Sequence, residues 1–191
     1  MDEAMIRGHV LGHTAEFYRS RYDQGTAARI DGELSIEVKL VLDEVSRAEW
    51  YPRRHLIEIL NAITMVRGAN EGTYADFVRC GSTLADTKDE FAKLLMQVMT
   101  PELFLKKLHR FWTRDHQDSG AFELEPVMPG DRSARLKLRS VKHYDHCAVL
   151  WMGFMQGVLG QLGLAGVSVV QQGWSWENPG PQDIAYEVKW S

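Results

Sequence analysis

The sequence predicts an α+β fold: an N-terminal helical layer packed on a four-stranded, mainly antiparallel sheet, closed by a ββ-α-ββ third. Three observations carry this. Up to about residue 114 the apolar residues recur at spacings of three and four, the period of a helix with one buried face. At Ser119-Gly120 the period drops to two, as in a half-buried strand. Among the alternating stretches that follow lies Asp145 to Leu164, DHCAVLWMGFMQGVLGQLGL, apolar nearly all round and notched with glycines, which must sit inside something.

In chain order, residues 6–13 read as a short strand or an extended lead-in, and Thr14 to Tyr22 as a first helix. Gly25 and Gly32 punctuate the next stretch. A helix from about Ile36 to Trp50 places Ile36, Leu40, Val41, Val45 and Ala48 on one face, with Ser35 as its cap. Trp50-Tyr51-Pro52 ends it, because proline biases the preceding residue away from helical geometry. Proline suits a first helical turn, so a new helix carries His55, Leu56, Ile59, Leu60 and Ile63 to Gly68. Thr73 caps a helix with Phe77, Cys80 and Leu84 inside, and another covers about Lys88 to Met99. Thr100-Pro101-Glu102 opens a helix to about Arg114, with Leu103, Phe104, Leu108, Phe111 and Trp112 on its face.

AFELEPV and ARLKLRSV form a hairpin across Pro129-Gly130-Asp131, and GVSVVQQGWSW and IAYEVKW supply the third and fourth strands. Between the hairpins Asp145 caps the glycine-notched helix, in which Gly153, Gly157 and Gly160 share one face. Each glycine costs about 0.8–1 kcal/mol of helix propensity, so close packing on that face must offset the loss. The face is read as packing against the sheet, a helix or a twin subunit.

A chain of 191 residues fits one domain, 1–118 mainly helical and 119–191 ββ-α-ββ, and can bury about 70% of its unfolded surface without staples. A formal charge of -4 with no dense Lys/Arg stripe argues against nucleic acid as a partner. Two cysteines, far apart, suit a reducing cytoplasm, and no stretch reads as a signal peptide or a membrane span.

Arg7-Gly8-His9-Val10-Leu11, Trp50-Tyr51-Pro52, Thr100-Pro101-Glu102 with Trp112, the Gly153 to Gly163 helix and the closing Tyr186-Glu187-Val188-Lys189-Trp190 occur in an order that resembles a bacterial domain family best represented among myxobacteria. That family is in turn similar to the ligand-binding fold of nitric-oxide signalling and Golgi transport: heme NO-binding domains, four-vinyl-reductase domains and TRAPP tether subunits. The resemblance implies helices on a twisted antiparallel sheet, often with an internal apolar pocket, and frequent dimerisation. Heme NO-binding domains carry a Tyr-x-Ser-x-Arg motif, which this chain lacks, so no heme is expected. The cysteines that four-vinyl-reductase domains place around the closing strands are replaced by Gln171 and Gln172, so no metal of that kind is expected either. TRAPP subunits of this fold can carry an acyl chain in an apolar channel, which the resemblance would place on Cys80.

His143, His146 and Cys147 have ligand chemistry, but a structural zinc needs four ligands and no second pair exists. Cys147 beside His146 at a helix start is a setting that lowers a thiol pKa, yet no oxyanion or substrate motif completes a site. No Walker loop, dinucleotide fingerprint or GxSxG is present. The expectation is therefore a non-enzymatic sensory or protein-interaction module. Trp112, Trp151 and Met155 are the candidates to line a pocket for a small hydrophobic ligand, with a protein partner or a homodimer as the reader. A purely structural dimeric adaptor is the alternative, and an enzyme using Cys147 and His146 the weakest.

Overall fold

The computed structural model describes residues 3–86, 99–126, 130–140, 146–173, 176 and 183–191. Strand β1 (Met5–Arg7) leads directly into α1 (Gly8–Arg21), so the helix begins well before Thr14. The lead-in glycine serves close approach: a Cβ on Gly8 would overlap the carbonyl oxygen of Ser46. The stretch punctuated by Gly25 and Gly32 is itself a helix, α2 (Gln24–Glu33). Asp23 caps it, accepting from Thr26 N at 2.9 Å and from Thr26 Oγ1 at 2.7 Å, while Ala27 and Ile30 bury its short apolar face.

Helix α3 (Ile36–Asp43) has the expected cap, Ser35 Oγ accepting from Val38 N at 3.3 Å, but it stops at Asp43 and turns the other way. Val38 and Leu42 are buried, whereas Ile36 is 77% and Leu40 64% exposed. Trp50-Tyr51-Pro52 is strand β2 (Trp50–Pro52), paired antiparallel with β1, and Pro52 stands at the N-cap of α4 (Arg53–Arg67). His55, Leu56, Ile59, Leu60 and Ile63 are all buried, and the helix stops at Gly68 with φ 85°.

Asn70, not Thr73, caps α5 (Glu71–Asp86): Asn70 Oδ1 accepts from Thr73 N at 3.0 Å. The expected helix near Lys88 to Met99 lies outside the described residues apart from Met99. Helix α6 (Pro101–Asp115) starts as read, with Thr100 Oγ1 accepting from Leu103 N at 3.2 Å and proline in the first turn. It runs into β3 (His116–Gln117), which joins β1 to complete a three-stranded sheet of order β2-β1-β3. This sheet has no signature in the sequence, because strands of two or three residues have no period to display.

The large sheet comprises β4 (Ala121–Leu124), β5 (Ser133–Arg139), β6 (Ser168–Gln171) and β7 (Ile184–Lys189), all antiparallel, in the order β4-β5-β7-β6. Its register sets Phe122 opposite Leu138, Leu136 opposite Tyr186, and Val169 opposite Val188. Those six side chains are buried on one face. The other face carries ion pairs, among them Lys137 to Glu125 at 3.1 Å and Arg139 to Asp183 at 2.7 Å.

Helix α7 (Cys147–Gln161) lies on the buried face, held by Tyr186 Oη donating to Ala148 O at 3.2 Å. Asp145, read as its cap, lies outside the described residues, and His146 stands at the N-cap without a side-chain cap bond. The other side of α7 packs on α5, so the helix is enclosed between a helix and the sheet. Buried residues from Ile6 to Trp190 join in one core that includes both the helical layer and the sheet. Among the described residues no helix is long and apolar enough to cross a membrane.

Candidate ligand site around His116 and Trp151

The enclosed helix delivers Trp151 to the middle of the molecule, where α6 presents Trp112 and its continuation presents His116, one helical turn further on. His116 stacks on Trp112 with ring centroids 3.9 Å apart and planes 7° from parallel. Trp151 meets Trp112 edge-on at 4.9 Å, and Phe122 meets it at 5.3 Å and 84°. Such offset and edge contacts are the favoured arrangements of aromatic quadrupoles. Trp112 Nε1 donates to Gly120 O at 3.1 Å, where φ of 87° and the nearness of the Arg139 carbonyl admit only glycine.

Trp151 Nε1 donates to His116 Nε2 at 2.7 Å. An indole N–H only donates, so Nε2 is bare and the neutral imidazole carries its proton on Nδ1. Burial drives the His116 pKa well below its ordinary value, Arg53 pushes it the same way, and Asp115 only partly opposes them. His116 Nδ1 has no hydrogen-bond partner among the described residues.

Next to it Asp115 is buried and forked by Arg114, with Arg114 Nε to Oδ1 at 2.6 Å and Nη2 to Oδ2 at 2.5 Å, while His9 Nε2 lies 3.5 Å from Oδ2. Burial alone would raise the Asp115 carboxyl, but Arg114 and His9 outweigh it and hold it down at about 2. Arg7 ties this corner to the small sheet, lying 4.0 Å over the Trp50 ring and donating from Nε to Arg114 O at 3.3 Å.

His116 and Trp151 border an enclosed cavity whose remaining walls are Val10, Leu56, Leu84, Cys147, Leu150 and Phe154. Its volume is about 10 Å³, room for one water-sized sphere. Of the predicted pocket residues, Trp151 lines this cavity. Trp112 stands behind His116 in the aromatic cluster, and Met155 is buried in the core away from the cavity wall.

The three predicted glycines part company. A Cβ on Gly153 would overlap the Val78 carbonyl and one on Gly157 would lie 2.6 Å from Ser82 O, so both lie against α5 of the same chain. Gly160 is exposed, with nothing within 4 Å of such a Cβ. Gly81 of α5 answers them, its missing Cβ making room for the Leu150 carbonyl, and sequence reasoning did not single it out.

Cys147 is 1% exposed and its neighbour His146 is held between Phe77 at 5.6 Å and Trp176 at 5.0 Å. Burial pushes the Cys80 thiol up to about 12, leaving it protonated and unreactive at neutral pH. His143 lies outside the described residues, and among those described no three His, Cys, Asp or Glu side chains gather into a group that could hold a metal. His116, Asp115 and Arg53 are site residues that the sequence reading missed. The spacing of four from Trp112 to His116 was the available signal.

No protein-family model and no curated protein matches the sequence. Solved structures do. The Fe(II) unliganded H-NOX protein from K. algicida aligns with TM-score 0.71 at 8% identity, covering 97% of each chain. A point variant of the T. Tengcongensis H-NOX aligns with TM-score 0.66 at 14% identity, covering 97% of this chain and 98% of that one. An oxygen-binding H-NOX domain related to soluble guanylate cyclases aligns with TM-score 0.63 at 12% identity, covering 97% and 95%. The chain therefore has the fold of the H-NOX domains over 97% of its length.

Proposed function

We propose that the protein is a non-enzymatic sensory module, one domain over residues 1–191, that takes a small ligand into its interior and passes the bound state to a protein partner or a second copy. The observation that carries this reading is the enclosed cavity at the centre of an H-NOX fold, walled by carbon except for one imidazole and one buried thiol. Solved neighbours with this fold include an oxygen-binding domain and a domain studied for heme distortion, which makes an interior ligand the natural use of the architecture. Neither cysteine is set up as a nucleophile, Cys80 by its raised pKa and Cys147 by its burial.

Heme itself does not fit the described residues. Pockets for drug-sized ligands run to roughly 300–1,000 Å³, and the cavity beside His116 has about 10 Å³. The imidazole nitrogen that Trp151 engages is also unavailable to iron. A ligand of this site must be far smaller than a porphyrin.

A second reading, a structural adaptor, is favoured by the small volume of the cavity beside His116 and by the outward-facing pair Ile36 and Leu40. The two separate under xenon pressure, with tryptophan emission as the readout. A sensory interior gives saturable quenching that reports xenon beside Trp151, and quenching that is only linear in pressure, as for surface collisions, would leave the adaptor reading.

A further inference from the structure

Among the described residues the buried imidazole of His116 has half of its hydrogen-bonding capacity unused. His116 is 3% exposed, one of its faces is covered by Trp112, and its Nε2 is saturated by Trp151. The proton it must carry on Nδ1 finds no acceptor among the described residues. A donor left unpaired in the interior is uncommon, because it forfeits its bond to water and gains nothing in return. The same ring borders a cavity whose other walls, chiefly Val10, Leu56, Leu150 and Phe154, are carbon, with the Cys147 thiol as a weak acceptor at most.

We infer that the cavity takes a small neutral molecule bearing one hydrogen-bond acceptor, and that His116 Nδ1–H is the group that anchors it. The cavity has room for one water-sized sphere, so the occupant is water or a slender molecule of about two or three heavy atoms for which the carbon walls give way. Neutrality follows from the carbon walls, which would leave an ion without compensation for its lost hydration. A cation is excluded a second time, because the free group is a donor and repels it. The unpaired donor selects a ligand with a lone pair over an equally small hydrocarbon. This assignment rests on the reading of the interior as a ligand site and narrows what that site accepts.

Acetonitrile and propyne test it, being linear molecules of matched size of which only the first has a nitrogen lone pair. Each is titrated into the ¹⁵N-labelled full chain, following the His116 ring nitrogens and the Trp151 indole N–H. The free protein is expected to show a protonated Nδ1 and a bare Nε2. Acetonitrile is expected to bind about tenfold more tightly than propyne and to shift the Nδ1–H resonance. His116→Phe, which keeps a ring but removes both nitrogens, is expected to abolish the preference. Equal binding of the two probes would overturn the anchor while leaving the interior ligand site standing. Failure of both to bind would overturn the site and the anchor together. A proton found on Nε2 in the free protein would refute the assignment, and this and the wild-type comparison hold even if His116→Phe does not fold.

Discussion

Trp151 and His116 are each other's main polar partner, and the energetics of the interior turn on that bond. Trp151→Phe leaves Nε2 as a buried acceptor without a donor and is expected to cost about 1–3 kcal/mol, read from urea unfolding. A loss within error would mean that the nitrogen finds water. Burial lowers the pKa of His116, and of His13, below the ordinary 6.5. Between its folded value and 6.5 the unfolded chain binds a proton that the folded chain does not. Stability is therefore fully present above that pH and falls on acidification below it, by up to about 1.4 kcal/mol per pH unit for each such histidine. Urea midpoints measured across this range should show the decline, and His116→Phe should make it shallower. An unchanged slope would place the titration elsewhere. Trp112 and Trp151 were legible as interior candidates from helical spacing. His116 was not, because a polar residue one turn beyond a helix face reads as solvent-exposed until the small sheet is seen to cover it.

At the scale of elements, the α5–α7 crossing depends on glycines contributed by both helices. Gly153→Ala puts a Cβ onto the Val78 carbonyl and is expected to cost about 1–3 kcal/mol or more, since backbone cannot move aside as a side chain can. Gly160→Ala, two turns along the same helix, meets nothing and is expected to stabilise by up to about 1 kcal/mol. Thermal melts of the two variants should move in opposite directions, and movement in the same direction would contradict the packing. Thr100→Ala should cost about 1 kcal/mol through loss of the cap on α6. Caps at Ser35 and Thr100 and the stop at Gly68 were legible because they are local chemistry. The buried face of α3 was not, because Ile36 with Leu40 and Val38 with Leu42 satisfy helical spacing equally well, and only the neighbouring helices choose between them.

For the molecule as a whole, the cavity beside His116 is, among the described residues, far smaller than a porphyrin needs. Added hemin is expected to give no saturable, stoichiometric Soret band. A one-to-one complex would show that the interior opens far beyond its present volume. Closing that space are the three-stranded sheet, which pins β3 and so His116, and α7, which brings Trp151 against it.

The sequence by itself determined the two halves of the fold, the hairpins and the enclosed nature of α7, because periodicity and capping depend on near neighbours in the chain. Only the tertiary structure decided which helix face is buried, that β1, β2 and β3 form a sheet, and that His116 meets Trp151. Those contacts join residues far apart in sequence, such as His116 and Trp151, 35 positions apart, and no local pattern records such a meeting.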